Sequence, residues 1–181
     1  MTEKIICAGF GGQGVMAMGR ILAIAGLREG RNVTWLPSYG AEVRGGTAHC
    51  MVVISDDPID SPHVEKADTL IIMNAPSLAK FKNAIRNKGL LLVNSTLAEC
   101  KATSRRLRVV RAPLTGMANK LGLDKVANTV GIGAYLGLKK IISLATMERS
   151  IEEVLRNKPK LIPINKRALE EGFFFVQKLS K

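Results

Sequence analysis

A glycine cluster between a strand-like run and a long apolar segment constrains the fold of this chain most strongly. Residues 4–8 form a short β-prone run, and Gly-Phe-Gly-Gly-Gln-Gly follows at positions 9–14. An apolar segment then extends from Val15 to Leu27. The order strand, glycine turn, helix is typical of the first unit of an α/β sheet. Because Arg20 is the only charge in this segment, we expect the helix to be covered on more than one side, in part by a subunit interface.

The rest of the chain alternates strand-like and helix-like segments. Short apolar runs predict strands at residues 32–36, 47–55, 69–73, 90–93 and 108–112. Helices are predicted at residues 76–85, 113–121 and 126–142. A capping box that begins at Ser150 predicts another helix. The helical spacing of Leu169, Phe173 and Val176 predicts a C-terminal helix that packs on the domain through these residues. This alternation predicts one α/β domain over residues 1–181, with a doubly wound, mainly parallel sheet and helices on both faces.

Glycines also mark the helix predicted at residues 126–142. Gly131, Gly133 and Gly137 would let another backbone approach closely, from a neighbouring helix or from a bound ligand. We therefore expect this helix, together with the first one, to support oligomer or partner contacts.

Cysteine and histidine content restricts the chemistry that the chain can perform alone. The three cysteines lie far apart, at positions 7, 50 and 100, which argues against a disulfide framework and against an iron-sulfur site in this chain. His49 and His63 are the only histidines, too few for zinc or Ser-His chemistry within one chain. We expect no metal site and no catalytic residue in this chain, so any redox chemistry needs a cofactor that another subunit or a bound molecule supplies.

The net charge of +12 lies mostly in the second half, since residues 91–181 carry +10 of it. Such a field attracts nucleic acid, phosphorylated cofactors or an acidic protein. Aromatic residues make up only 4% of the chain, so a stacking platform for single-stranded nucleic acid is largely missing. The basic run of Lys101, Arg105, Arg106, Arg108 and Arg111 is interpreted as a solvated face.

Hydropathy predicts a chain without membrane spans. The longest uncharged stretch, Ile5 to Gly19, is interrupted by five glycines and is shorter than the roughly 20 apolar residues that a span needs. The first residues lack the features of a signal peptide. We expect a cytoplasmic protein.

Three interpretations fit the spacing of Gly9, Gly11 and Gly14. The glycines could serve only a tight strand-to-helix turn, could bind phosphate or another anion at the helix terminus, or could bind a whole dinucleotide. NAD enzymes usually add an acidic residue about 20 positions further on to hold the ribose. Residues 31–37 contain no acid, which disfavours NAD.

A second glycine-rich loop follows the second predicted strand. It spans residues 38–46, where Ser38 and Tyr39 can form hydrogen bonds and Arg44 can bind phosphate or carboxylate. The alternative is an ordinary surface turn with a Glu42–Arg44 pair. Further along, His49 is predicted to be a hydrogen-bonded core or interface histidine, and Cys7 and Cys50 are predicted to be buried as small apolar side chains.

Several of these motifs together resemble a known family. The relevant stretches are Gly9–Val15, Pro37–His49, Val52–Pro62, Met73–Ser77 and Asn128–Ala134. In order and spacing they are similar to the gamma subunit of the thiamine-dependent 2-oxoacid:ferredoxin oxidoreductases. The resemblance covers most of the chain, and only the basic C-terminal part has no distinctive motif.

The resemblance implies a Rossmann-like subunit that is not an enzyme by itself. Partner subunits of the alpha, beta and delta types would carry thiamine diphosphate, magnesium and iron-sulfur clusters, and ferredoxin would accept the electrons. The gamma subunit would contribute to coenzyme A binding. An isolated chain could form a homodimer, and neither nucleic acid nor membrane is expected as a partner.

Site residues follow from the resemblance at the matching positions. They form a predicted ligand-facing surface of Gly9, Gly11, Gly12, Gln13 and Gly14 in the first loop, Ser38, Tyr39, Arg44, Gly45 and Gly46 in the second loop, and Asn128. The form of the second loop and the short chain look most like 2-oxoglutarate enzymes, with pyruvate and branched-chain oxoacid enzymes as alternatives. A stand-alone nucleotide- or nucleic-acid-binding module is the alternative from a different class.

Overall fold

A six-stranded sheet forms the centre of the computed structural model, which describes residues 1–38, 47–101 and 106–179. Its order is β2-β3-β1-β4-β5-β6. The strands are β1 (Thr2–Phe10), β2 (Asn32–Ser38), β3 (Thr47–Ser55), β4 (Ala67–Ile72), β5 (Ile85–Asn94) and β6 (Arg108–Ala112). Pro37 fits inside β2 because that strand is an edge strand, where a missing N–H leaves no ladder bond unmade.

Strand directions confirm the predicted mainly parallel sheet. β1, β4, β5 and β6 pair in parallel, whereas β3 runs antiparallel to both β1 and β2. The inner strands are apolar on both faces, and all six residues of β4 are buried. Burial on both faces is the reason for their continuous apolar runs.

Helices cover the two faces unequally. They are α1 (Val15–Arg28), α2 (Ala75–Phe81), α3 (Leu114–Lys120), α4 (Ala127–Lys139), α5 (Leu144–Val154) and α6 (Ile162–Leu179), with 3₁₀ turns at Asp124–Val126 and Pro159–Leu161. α1 and α3 to α6 pack on the face that carries Ile5 and Cys7. α2 packs on the opposite face, against Ile6 and Ala8.

The connections leave β1 and its neighbour β4 in opposite directions. The chain runs from β1 through α1 to β2 at one edge, and from β4 through α2 to β5 on the other side. This divergence makes the boundary between β1 and β4 the topological switch point of the sheet. In open α/β sheets, ligands bind in the crevice at the carboxyl ends of the strands at that point.

Backbone contact between α4 and α6 accounts for the glycines of α4. A Cβ on Gly133 would lie 1.9 Å from the Leu169 carbonyl oxygen, and one on Gly172 would lie 2.0 Å from the Val130 carbonyl oxygen. All residues of α4 from position 127 to 137 are buried within this chain. The expected partner contact of this helix is therefore wrong, because α6 of the same chain occupies its glycine face.

The same packing covers α1 and confirms the C-terminal stripe. α1 is packed against β2, β3, α4 and α5, so its second cover also comes from this chain. On α6, Leu169 and Val176 are fully buried, and Phe173 is partly buried against the same core.

Two helix boundaries differ from the sequence-based prediction. α2 ends at Phe81, because Ala67 N–H donates to the Ala84 carbonyl at 2.7 Å and draws the following residues into β5. Ser150 does not open a helix: Ser143 caps α5 by accepting from Thr146 N–H at 3.1 Å. The Ser150 hydroxyl instead donates to the Thr146 carbonyl at 2.8 Å inside α5.

The three cysteines are free and buried. Cys7 and Cys50 face each other across β1 and β3, and this contact together with burial raises the pKa of the Cys7 thiol well above its ordinary value. The prediction that both are buried small side chains is confirmed. Within the described ranges, no group of His, Cys, Asp and Glu could hold a metal ion, and no helix is long and apolar enough to cross a membrane.

We expect Gly133→Ala to destabilise the protein by about 3 kcal/mol, since the added methyl would meet backbone that cannot rotate away. For a chain of this size the midpoint of thermal unfolding would fall by roughly 6–12 °C. Gly116→Ala in α3 is the matched control, because its Cβ would meet its nearest atom at an ordinary 3.5 Å. Equal midpoints for the two variants would contradict the α4–α6 contact.

Candidate functional site at the carboxyl edge of the sheet

The glycine loop folds back onto the end of β1. A Cβ on Gly9 would lie 2.6 Å from Gln13 Oε1 and 3.0 Å from Met73 Cβ, so only glycine fits beneath the loop. Gly12 and Gly14 have φ angles of 99° and 70°, which glycine adopts without strain. Gly14 then forms the N-terminal boundary of α1 without a capping side chain.

Gly11 differs from its neighbours because nothing in the described part of the chain requires a glycine there. It has no positive φ, and a Cβ on it would meet no atom within 4 Å. Nor do the described residues accept hydrogen bonds from the N–H groups of Gly11 and Gly12, or from those of the first turn of α1 before Met18. The loop therefore has open space at Gly11 and N–H donors that no described residue uses, an arrangement that suits an anion.

Gln13 turns inward and holds this loop in place. Its Oε1 accepts from Phe10 N–H and from Asn74 Nδ2, both at 3.0 Å. Its Nε2 donates to the Met73 carbonyl at 3.3 Å, and Asn94 Nδ2 donates to the same carbonyl at 3.1 Å. The Gln13 side chain thus ties the loop to the residues that follow β4, and Asn94 at the end of β5 binds the same carbonyl.

Asn128 supports the loop from α4. Its Nδ2 donates to the Gly14 carbonyl at 3.1 Å, and the residue is buried. The adjacent Thr129 hydroxyl donates to Asn165 Oδ1 at 2.6 Å, so the first turn of α6 lies beside the first turn of α4. The N-termini of α1, α4 and α6 are consequently gathered at this edge, where their dipoles favour negative charge.

A cavity of about 270 Å³ opens beside the loop at the switch point. It lies on the side of β4 and β5, and it is lined by Phe10, Gly11, Gly12, Gln13, Met73, Leu97, Thr115, Asp124, Lys125 and Ala127. Among the described residues that line it, Lys125 is the only lysine or arginine. Sequence reasoning did not single out Leu97, Thr115 or Lys125, because they follow β5, β6 and α3 and only the topology brings them to β1.

Ser38 lies on the other side of the glycine loop. It pairs with His49, and His49 in turn pairs with Ala8, so Ser38 is two strands, about 10 Å, from β1. Ser38 and Thr47 are both at the carboxyl edge. The predicted site residues Tyr39, Arg44, Gly45 and Gly46 lie outside the described residues.

His49 is half-buried at the same edge. Its ring packs on Phe81 with 4.8 Å between centroids, and its Nδ1 has no hydrogen-bond partner among the described residues. Burial, followed by the charge of Lys80, lowers the pKa of His49. The predicted hydrogen bond of His49 is therefore not seen at Nδ1 in the described part of the chain, and the lowered pKa favours the neutral ring.

The arrangement suits an anionic ligand, and the residues described at this edge include no nucleophile in contact with a base. Free N–H groups, three helix N-termini and Lys125 face one edge, and an open cavity adjoins them. The polar amides nearby are engaged in holding the loop. These features are typical of a binding surface for a negatively charged molecule.

Comparison with known proteins identifies the family. A model described as "Pyruvate ferredoxin/flavodoxin oxidoreductase" matches residues 4–175. The chain belongs to this family. The resemblance to gamma subunits of 2-oxoacid:ferredoxin oxidoreductases is thereby confirmed, and the relatives and structures below agree with it.

Two curated relatives have similar identity and different names. The ketoisovalerate oxidoreductase subunit VorA of Methanothermobacter thermautotrophicus is 38% identical over 170 residues, covering 93% of this chain. The chain spans only about a third of that relative's length, 35%. The 2-oxoglutarate synthase subunit KorC of Methanocaldococcus jannaschii is 37% identical over 154 residues, covering 83% of this chain and 82% of the relative.

Solved structures share the fold. The gamma subunit of a keto/oxoacid ferredoxin oxidoreductase from Geobacter sulfurreducens superposes with a TM-score of 0.81, at 28% identity and over 99% of both chains. A 2-oxoglutarate:ferredoxin oxidoreductase from Magnetococcus marinus gives 0.88, at 20% identity, over 98% of this chain and 31% of that one. The second similarity concerns the fold alone.

We expect the His49 imidazole to titrate below pH 6.5, because burial disfavours its charged form. The stability contributed by the neutral ring is present above the unfolded-state pKa and is lost as pH falls. NMR titration in a His63→Gln background, which leaves one histidine, measures the midpoint directly. Lys80→Gln should raise it and Lys82→Gln should not; a midpoint at or above 6.5 without either change would contradict the assignment.

Proposed function

We propose that this chain acts as the gamma subunit, or the equivalent region, of a 2-oxoacid:ferredoxin oxidoreductase and that it contributes to coenzyme A binding. The observation that carries this proposal is the glycine loop at the switch point, where the N–H groups of Gly11 and Gly12 have no acceptor among the described residues. Open space above Gly11 leaves room for a ligand beside the backbone. Coenzyme A is anionic and would supply phosphate oxygens to these donors.

The remaining site residues favour a phosphate-bearing ligand other than NAD. Charge-assisted hydrogen bonds from N–H groups or arginine to phosphate each contribute about 1.5–3 kcal/mol. Residues 31–37 offer no acid for a ribose. Coenzyme A is also present in the Magnetococcus marinus structure that shares this fold, which makes it the first ligand to test.

Partner subunits would supply the redox chemistry. The three cysteines of this chain are buried and free, and Cys100 packs on the opposite face of the sheet from the other two. They do not fit iron-sulfur ligation, which needs several thiolates around one cluster. We assign thiamine diphosphate, magnesium and the clusters to alpha, beta and delta subunits, with ferredoxin as acceptor.

The 2-oxoacid is the finer part of the proposal. The form of the second loop favours 2-oxoglutarate, whereas the relatives at 38% and 37% identity are named for ketoisovalerate and 2-oxoglutarate and do not separate the two. Pyruvate is a third candidate, since a gamma subunit from Thermococcus kodakarensis that serves pyruvate and ketoisovalerate enzymes is 30% identical. Assay of the purified complex with these three oxoacids decides between them.

We expect Arg44→Ala in the assembled complex to raise the KM for coenzyme A about tenfold, the loss of one charge-assisted phosphate contact. The KM for the 2-oxoacid should remain nearly unchanged. Steady-state kinetics with each substrate varied in turn measures both values.

Arg31→Ala is the control for this experiment. Arg31 precedes β2 at the opposite edge of the sheet and pairs there with Asp56 at 3.6 Å. Its loss should leave both KM values unchanged. A normal coenzyme A response with a weakened oxoacid response in Arg44→Ala would move Arg44 to the oxoacid side.

A further inference from the structure

The two ends of the described chain lie at the amino edge of the sheet, where the parallel strands begin. At the start of β1, the Met1 carbonyl accepts from Asp56 N–H at 2.9 Å. Leu179, the last residue of α6, lies beside Arg108 at the start of β6. Because β1, β4, β5 and β6 are parallel, both places belong to one edge. A polypeptide that continued from either end would therefore start at the edge opposite the glycine loop.

A longer relative has such a continuation. The match to the ketoisovalerate oxidoreductase subunit VorA includes 93% of this chain but only 35% of the relative. Most of that relative therefore lies outside the matched region and is joined to it near one end or both. If the matched region folds as this chain does, the rest of the relative leaves it at the amino edge.

A groove of about 360 Å³ opens at this edge, between β6 and the C-terminal ends of α4 and α6. Leu179 is 60% exposed, the largest exposed fraction among the large hydrophobic side chains of the described ranges. Leu138 is half-buried in the same groove. A partner that covers these side chains would remove apolar surface from water, which stabilises a complex. The groove is lined by Arg108, Val109, Val110, Arg111, Leu138 and Leu179.

The backbone of β6 offers a second means of contact. β6 is an edge strand that pairs only with β5. Ser95 N–H donates to the Ala112 carbonyl at 2.9 Å on the β5 side. Backbone groups of successive strand residues point alternately to the two sides, so Val109 directs its N–H and its carbonyl to the open side. No described residue bonds to either group, and an added strand could bond to both.

Three cations at this edge have no acidic partner among the described residues. Lys88, Arg108 and Lys140 are exposed, and no described side chain forms an ion pair with them. Glu3 and Asp68, which are acids of the same edge, are buried and already paired within the chain. Charged side chains protect an edge strand from non-specific pairing. Here their sign favours a partner that carries negative charge.

We infer that this groove docks an acidic, extended segment of a partner subunit. The segment would add a strand to β6 at Val109, direct carboxylates toward Arg108 and Lys88, and place a large apolar side chain against Leu138 and Leu179. A polypeptide uses all three features, whereas nucleic acid would use mainly the positive charge. The inference rests on the proposed function, in which this chain assembles with other subunits. It adds the surface that contacts the subunit corresponding to the remainder of the longer relative.

Dissociation of the complex, purified with all its subunits, tests this surface. Mass photometry over a dilution series gives the Kd for release of this chain. Arg108→Glu should raise that Kd about tenfold or more, because it reverses a charge that faces carboxylates. Leu179→Asp should raise it about tenfold, because an acid replaces the apolar contact. Added salt should weaken the parent complex more than the Arg108→Glu complex.

Two variants of α1 are the matched controls. Arg20→Glu reverses an exposed charge, and Leu27→Asp places an acid at a leucine that is 59% exposed near the end of its helix. Neither residue lines the groove, so both variants should keep the Kd within about twofold of the parent. Because all four side chains are exposed, the thermal unfolding midpoint of each variant chain should remain that of the parent.

Hydrogen–deuterium exchange tests the strand addition separately. The Val109 amide should exchange at least about tenfold more slowly in the complex than in the full chain purified alone, because it gains an acceptor. Equal exchange in the two states would overturn pairing at β6.

The outcomes separate this inference from the proposed function. An unchanged Kd in both groove variants, or an equal loss in the α1 controls, would overturn the inference. Normal assembly of Arg108→Glu together with weakened binding of duplex DNA would also overturn it and would assign the surface to nucleic acid. If the groove variants assemble normally and coenzyme A still binds, the proposed function stands without this surface. Failure of the parent chain to assemble with any partner subunit would overturn both.

Discussion

The Gln13 side chain is the contact on which the carboxyl edge depends. A glycine-rich loop has many backbone donors but few side chains that could fix its conformation. Gln13 supplies three hydrogen bonds that connect the loop to β1, to the end of β4 and to the start of α2. This amide bonds to neighbouring strand and helix ends, and the N–H groups of Gly11 and Gly12 remain without an acceptor among the described residues. Gln13 thus fixes the loop to the fold, while Gly11 and Gly12 remain available to a ligand.

Packing behind the loop makes that edge positive. Asn128 holds the Gly14 carbonyl, and Thr129 and Asn165 join the first turns of α4 and α6. The close α4–α6 crossing at Gly133 and Gly172 keeps the two helices parallel, so that both N-termini point toward the same edge as α1. A field built from backbone dipoles is fixed in position and acts on an anion without the ordering cost of long side chains.

Local sequence pattern predicted the strands, the first helix and the family, because each depends on a short run of residues. Prediction from local pattern failed where contacts between residues distant in sequence determine the structure. The α4 glycines predict that another backbone packs closely against the helix, but they do not show which segment supplies it. Ser150 matches a capping-box pattern, but it lies inside α5, whose N-terminus is capped by Ser143. Lys125, Leu97 and Thr115 carry no local signal, since their proximity to the glycine loop follows from strand order alone. The positive net charge of residues 91–181 does not indicate which lysine lies at the cavity beside the glycine loop.

Coenzyme A binding as proposed requires that the ligand contacts the N–H groups of Gly11 and Gly12 in the glycine loop. Hydrogen–deuterium exchange of the assembled complex, with and without coenzyme A, measures this at the backbone itself. We predict slower exchange for peptides that cover residues 10–17, and unchanged exchange at the amino edge, including the turn at residues 56–63. Unchanged exchange at residues 10–17 with saturating coenzyme A, together with protection elsewhere in the chain, would contradict the central claim.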